Sequence, residues 1–131
     1  AEWRRVLEIN TLAPLKVAEA FVEQVGASVR RQMIFVSSTT GSNVEGTYAT
    51  FGYCSSKAAL NKVVTMLAIA LKPRGIVCAA VCPGYVKTRL GGDAALLGVE
   101  ESIRGLRQVI AGLTLERTGS FTLYNGETIA W

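Results

Sequence analysis

Two short apolar runs, neither of which alternates polar with apolar residues, most constrain the fold of this 131-residue chain. The first is Met33–Val36, which a Ser-Ser pair closes, and the second is Ile76–Cys82, which a Pro-Gly pair closes. A strand that is apolar at every position is typical of a parallel sheet covered on both faces. We therefore expect two buried parallel strands, which need a crossover segment between them.

Helical periodicity fills the segments around these runs. Apolar residues recur at steps of three and four over Glu2 to Val25, Tyr53 to Lys72 and Val99 to Gly112, while Ser120–Tyr124 suits a third strand. The alternation of helix and strand predicts an α/β fold with helices on both faces of a parallel sheet. Three strands are few for such a sheet, so the pattern indicates the second half of a doubly wound domain.

Two of these helices are irregular. Pro14 lies inside the first and predicts a bend or break near Asn10. The helix Tyr53 to Lys72 has almost no polar face in its second half. Such a helix is buried on more than one side, either wholly within its domain or at an interface between subunits.

Composition excludes several classes of function. The chain has no His, which removes His-based catalysis and His metal sites, and its three Cys offer no second pair for zinc. The net charge of +4 comes from scattered basic residues, so we expect no nucleic-acid partner. The longest run without a charged residue is 13, short of the roughly 20 that cross a bilayer. An odd number of Cys without a secretory signal indicates reduced thiols and a cytoplasmic protein.

Polar side chains follow the strand ends, where open α/β sheets bind their ligands. Ser38 follows the first strand, and Tyr53 and Lys57 open the next helix, four residues apart and so on one face. An ammonium beside a phenol stabilises the phenolate, which favours proton exchange with an alcohol or carbonyl near neutral pH. A Tyr-x-x-x-Lys pair also arises by chance, however, and Ser-Ser and Pro-Gly are common in turns.

In combination these features resemble the short-chain dehydrogenase/reductase family. The resemblance extends over the whole chain and is greatest to the C-factor-like and sniffer-like carbonyl reductases. It rests on Asn10–Leu15, Tyr53–Asn61, Thr88–Gly92 and Thr118–Trp131. It implies the C-terminal catalytic part of a Rossmann-type domain over residues 1–131.

The resemblance also implies catalytic roles. Tyr53 is expected to be the general acid/base, and Lys57 the partner that lowers its pKa and binds the nicotinamide ribose. Ser38 is expected to polarise the substrate carbonyl. It precedes Tyr53 by 15 residues, whereas Thr40 lies at the more usual 13, so Thr40 is the competing candidate.

Further roles concern water and the cofactor. Asn10 resembles a helix Asn whose kink holds a water that links Lys57 to solvent; the alternative is a solvent-facing side chain. The segment expected to hold the nicotinamide carboxamide comprises Pro83, Gly84, Val86 and Thr88.

The sequence departs from the family in that it has no Gly-rich phosphate loop. The strand that would choose between NAD and NADP is also absent, and the chain opens Ala1-Glu2-Trp3 without Met. We therefore expect that the N-terminal dinucleotide-binding part is missing and that the 131-residue chain is inactive. The intact parent is expected to be an oxidoreductase for small carbonyl or alcohol substrates that uses NADP, with NAD not excluded and with a homodimer possible. The alternative is a non-enzymatic intercellular signalling protein.

Overall fold

The computed structural model describes residues 2–45 and 49–131, and its centre is a three-stranded parallel sheet. The strands are β1 (Gln32–Val36), β2 (Val77–Cys82) and β3 (Phe121–Leu123), in the order β1-β2-β3. Phe35 lies opposite Ala80, which in turn lies opposite Phe121. The predicted α/β fold with a parallel sheet is confirmed.

The helices follow the predicted order. They are α1 (Glu2–Leu7), α2 (Ala13–Ala27), α3 (Phe51–Leu71) and α4 (Val99–Ala111). Shorter turns of 3₁₀ helix lie at Thr39–Gly41, Lys72–Arg74 and Leu115–Arg117.

A π-helical turn, Glu8–Leu12, joins α1 to α2. The N–H of Ala13 donates to the carbonyl of Glu8, five residues back. Pro14 follows at once and has no N–H to continue the normal ladder. The expected break near Asn10 is therefore confirmed, and it takes the form of one extra residue in the turn.

Helices cover both faces of the sheet. On one face, the main apolar core joins α3 to alternate residues of β2, among them Leu60, Val64, Cys78 and Ala80. On the other face, the Gln32 side chain reaches the end of α4. Its Nε2 donates to the carbonyl of Ile110 in the helix and to that of Leu113 just beyond it, both at 3.4 Å. All six residues of β2 are buried, which explains why its sequence does not alternate.

Helix α3 packs against β2, and its first half also packs against α1 and the π turn. In its second half, for which burial on more than one side was expected, the described residues leave one side uncovered. Its remaining side exposes Met66 (59%) and Ile69 (77%). With the turn that follows it, the segment Phe51–Arg74 is 24 residues long and contains an 18-residue window with a mean hydropathy of 1.2, enough by length and composition to cross a membrane. Core helices of soluble proteins pass the same test, and Leu60 and Val64 lie in the core of this fold.

Strand β1 has a free edge in the described part of the chain. Ser37 N–H donates to the Val81 carbonyl and Val77 N–H donates to the Arg31 carbonyl, both at 2.8 Å. The main-chain N–H and C=O groups of the odd-numbered residues of β1 therefore point towards β2. The main-chain groups of Ile34 and Val36 consequently point outwards. This edge of β1 is therefore unpaired among the described residues.

Candidate active site

Tyr53 and Lys57 lie in the first two turns of α3, at the end of the sheet where β1 and β2 terminate. Thr50 begins this helix, since its hydroxyl accepts from the Tyr53 N–H at 3.3 Å. The Lys57 ammonium nitrogen lies 5.7 Å from the centroid of the Tyr53 ring. The structure thus brings the two residues together on one face of the helix.

Lys57 also reaches the end of β1. Its Nζ donates to the Val36 carbonyl at 3.0 Å, one of the main-chain groups on the free edge. Burial lowers the pKa of Lys57 from its usual 10.5, and the nearby Cys82 thiol opposes this shift. The amine is therefore easier to deprotonate than a surface lysine.

Ser38 and Thr40 share one turn after β1. The Ser38 Oγ accepts from the Thr40 N–H at 3.2 Å and from the Thr40 hydroxyl at 2.9 Å. The turn packs tightly on α3, because a Cβ on Gly41 would lie 2.7 Å from the main-chain carbon of Lys57. Only glycine fits there, and this contact holds both hydroxyls beside the Lys57 turn.

A buried pair that the sequence analysis missed stands next to this turn. The Ser37 hydroxyl donates to Asn61 Oδ1 at 2.6 Å, whereas the buried Asn61 Nδ2 has no hydrogen-bond partner. Asn61 follows Lys57 by one helical turn, so both residues hold the end of β1. The four-residue spacing was visible in the sequence, but nothing there identified Ser37 as the partner.

Asn10 lies in the π turn and is directed at α3 rather than at solvent. It is half-buried, and its Nδ2 donates to the Ser56 hydroxyl at 3.1 Å. The neighbouring Thr11, which the sequence analysis did not single out, donates through its hydroxyl to the Ser56 carbonyl at 2.9 Å. The π turn is therefore attached to the residue just before Lys57.

The segment Pro83–Thr88 leaves the sheet at the same end, because β2 runs parallel to β1. Gly84 has φ +83°, and a Cβ there would lie 2.8 Å from the Leu97 side chain. Val86 forms a bridge with Leu97, and the exposed Thr88 hydroxyl accepts from the Gly91 N–H at 3.1 Å. All the residues expected at the site thus belong to segments that meet or leave the sheet at this end, apart from Asn10 on the π turn.

These donors fit one end of a nicotinamide cofactor. A phenol, an ammonium group and a threonine hydroxyl suit the ribose and carboxamide, which are neutral and rich in hydrogen-bonding groups. The 131 residues contain no Gly-rich loop for the pyrophosphate. Within the described ranges, no group of three or more His, Cys, Asp or Glu side chains is placed to hold a metal ion.

Comparison with known proteins identifies the relatives of this chain. Residues 1–95 match the family described as short chain dehydrogenase. The chain is 37% identical to C-signal of Myxococcus xanthus over an alignment of 134 positions, which covers all of this chain and 80% of that protein.

Solved structures agree. The carbonyl reductase Sniffer of D. melanogaster matches with a TM-score of 0.90 at 31% identity, over 95% of this chain and 55% of that one. The NADPH-bound carbonyl reductase from chicken fatty liver matches with a TM-score of 0.91 at 30% identity, over 98% and 57% of the two chains. The chain thus spans most of C-signal but little more than half of these two reductases. On its family match and its relatives, the chain belongs to the short-chain dehydrogenase family.

Proposed function

We propose that residues 1–131 form the catalytic part of one NAD(P)-dependent oxidoreductase domain, which transfers hydride between a nicotinamide and a small carbonyl or alcohol. The observation that carries this proposal is the Lys57 ammonium, 5.7 Å from the Tyr53 ring centroid at the strand ends. General acid–base catalysis needs a proton donor whose conjugate base is stabilised. An adjacent cation supplies that stabilisation.

In the reduction direction, Tyr53 donates its phenolic proton to the substrate oxygen, and Lys57 stabilises the phenolate that remains. The bound cofactor supplies the hydride that the carbonyl carbon accepts. Ser38 donates a hydrogen bond to the carbonyl oxygen, and it can keep its contacts with Thr40 while it does so, because its Oγ only accepts in those contacts. Asn10 holds the water that returns a proton towards Lys57.

Tyr53 and Lys57 also bind the nicotinamide ribose, and the carboxamide lies against Pro83, Gly84, Val86 and Thr88. We propose NADP as the cofactor. The chicken reductase carries NADPH and a Burkholderia multivorans relative carries NADP, although a Brucella ovis relative carries NAD.

The test is a chimaera in which this chain replaces the matching segment of the D. melanogaster Sniffer reductase, so that a complete cofactor site is available. We expect it to reduce an aldehyde at the expense of NADPH. Tyr53→Phe should lower kcat by about 10²–10⁴-fold, because the proton donor is lost. A Tyr53→Phe chimaera as active as its parent would refute the proposal.

The 131-residue chain alone should not catalyse the reaction, because its sequence offers no loop for the pyrophosphate. Consumption of NADPH by the purified chain, abolished by Tyr53→Phe, would contradict this.

A signalling role is the second candidate, and the match to 80% of C-signal supports it. Purified wild-type and Tyr53→Phe chains can be applied to cells of the source organism. Equal responses to both would favour signalling, whereas a response lost with Tyr53→Phe would favour catalysis.

We further propose a cytoplasmic homodimer that packs through the exposed side of α3. The three cysteines are unpaired, as in a reducing compartment, and Met66 and Ile69 form an apolar surface. Light scattering should show that Met66→Lys with Ile69→Lys abolishes the dimer. Val29→Lys, which changes a fully exposed apolar residue elsewhere, should not. A dimer that persists in the double variant would refute this interface.

A further inference from the structure

Ser56 is fully buried (0% exposed) between Tyr53 and Lys57, and its hydroxyl both donates and accepts a hydrogen bond. Its hydroxyl donates to the Tyr53 carbonyl at 2.7 Å and accepts from Asn10 Nδ2 at 3.1 Å. Its own carbonyl accepts from the Thr11 hydroxyl at 2.9 Å. Two consecutive residues of the π turn therefore converge on one residue of α3.

Helix stability does not account for this arrangement. A serine that donates back to a carbonyl of its own helix slightly destabilises that helix, and alanine is the better helix former. π turns are likewise uncommon in proteins, and those that occur are often found at functional sites. Two locally unfavourable features thus meet at one buried contact, which is expected where function rather than stability sets the local structure.

The contact acts on the two peptide groups that matter most for the site. The carbonyl of Tyr53 belongs to the peptide group that follows the proposed acid, and the carbonyl of Ser56 belongs to the one that precedes Lys57. The Ser56 hydroxyl holds the first and the Thr11 hydroxyl holds the second.

We infer that Ser56 and Thr11 are positioning residues, which fix the Tyr53 and Lys57 backbones relative to each other through the π turn. This inference rests on the proposed function. Neither residue touches substrate. Their loss should loosen the approach of the Lys57 ammonium to the Tyr53 ring and so lower the rate of proton transfer, because the reaction depends steeply on alignment.

The first experiment uses the 131-residue chain and needs no activity. NMR of ¹³C-labelled lysine measures the upfield shift that the Tyr53 ring current imposes on the Lys57 methylenes. We expect Thr11→Val, which keeps the side-chain shape, and Ser56→Ala to reduce this shift by about half, and Thr11→Ser to restore it. The matched control is Thr65→Val, which removes a hydroxyl bond to the Lys62 carbonyl later in α3 and should leave the shift unchanged.

The second experiment measures kinetics in the chimaera. Thr11→Val and Ser56→Ala should each lower kcat about tenfold with little change in the KM for NADPH, and Thr11→Ser should recover most of the loss. A merely structural role would lower the urea midpoint but leave the Lys57 shift and kcat intact, and that result would overturn the inference. If Tyr53→Phe does not lower kcat of the chimaera, the proposed function is refuted. The NMR experiment then still tests the positioning role, because it does not depend on activity.

Discussion

The pair Ser37–Asn61 allows a quantitative prediction about the strand end that carries Ser38. Both side chains are buried, their hydrogen bond is 2.6 Å long, and Asn61 Nδ2 already lacks a partner. Ser37→Ala would remove the partner of Oδ1 and leave the whole buried amide unsatisfied. Such a loss costs about 1–3 kcal/mol of the free energy of unfolding.

Asn61→Leu behaves differently, because it removes one unpaired buried group while it leaves the Ser37 hydroxyl without a partner. We therefore expect a smaller loss than for Ser37→Ala. The double variant leaves no polar group unpaired at this contact and should be close to wild type. The coupling energy of the cycle is then the sum of the two single losses, and so exceeds the roughly 1–3 kcal/mol of Ser37→Ala alone.

Urea unfolding followed by far-UV circular dichroism measures all four proteins, with the slope m required to stay constant. In thermal scans, each kcal/mol should correspond to about 3–5 °C. The reasoning is refuted if Ser37→Ala lies within about 0.5 kcal/mol of wild type, or if the two single losses simply add in the double variant.

Three further predictions concern titration and the turn after β2. Because burial lowers the pKa of Lys57, the unfolded chain binds more protons, so stability should rise as the pH increases towards 10.5; Lys57→Met should remove this rise in the urea midpoint. Burial raises the pKa of the Cys78 thiol from 9.0 to about 11, so here stability should fall as the pH rises through that window. Cys78→Ala should flatten the fall, and an unchanged pH slope in either variant would contradict the assignment. Gly84→Ala should cost about 1–3 kcal/mol, because φ is +83° and the new Cβ meets Leu97; full stability in this variant would show that the turn relaxes freely.

Much of the fold could be predicted from the sequence, because a strand that is buried on both faces of the sheet is apolar at every position. The run Ile76–Cys82 differs from β2 by a single residue, and all six residues of that strand are buried. Pro14 located the break in the first helix because a missing N–H has local consequences. The apolar outer side of α3 was harder to interpret, since periodicity measures the polarity of a side chain and not what covers it.

The polar contacts of the site could be predicted only in part. Tyr53 and Lys57 are close because a helix fixes the geometry of residues four apart. In contrast, Asn10 and Ser56 lie 46 residues apart, and no local rule pairs them. The choice between Ser38 and Thr40 could not be made from spacing, since the structure joins both hydroxyls in one turn at 2.9 Å.

The π turn also sets the rotational phase of everything before it. Each residue of an α-helix turns by about 100°, so deleting one residue from Glu8–Leu12 would restore normal pairing but rotate α1 by about that angle relative to α2. Trp3 would leave its present place, where its ring stacks on Phe51 at 6.5 Å and its Nε1 donates to the Ser55 hydroxyl at 3.1 Å. Insertion or deletion of one residue in this turn would therefore rotate α1, so that a different face of it packs on the start of α3. The number of residues in this turn therefore determines which face of α1 packs on α3.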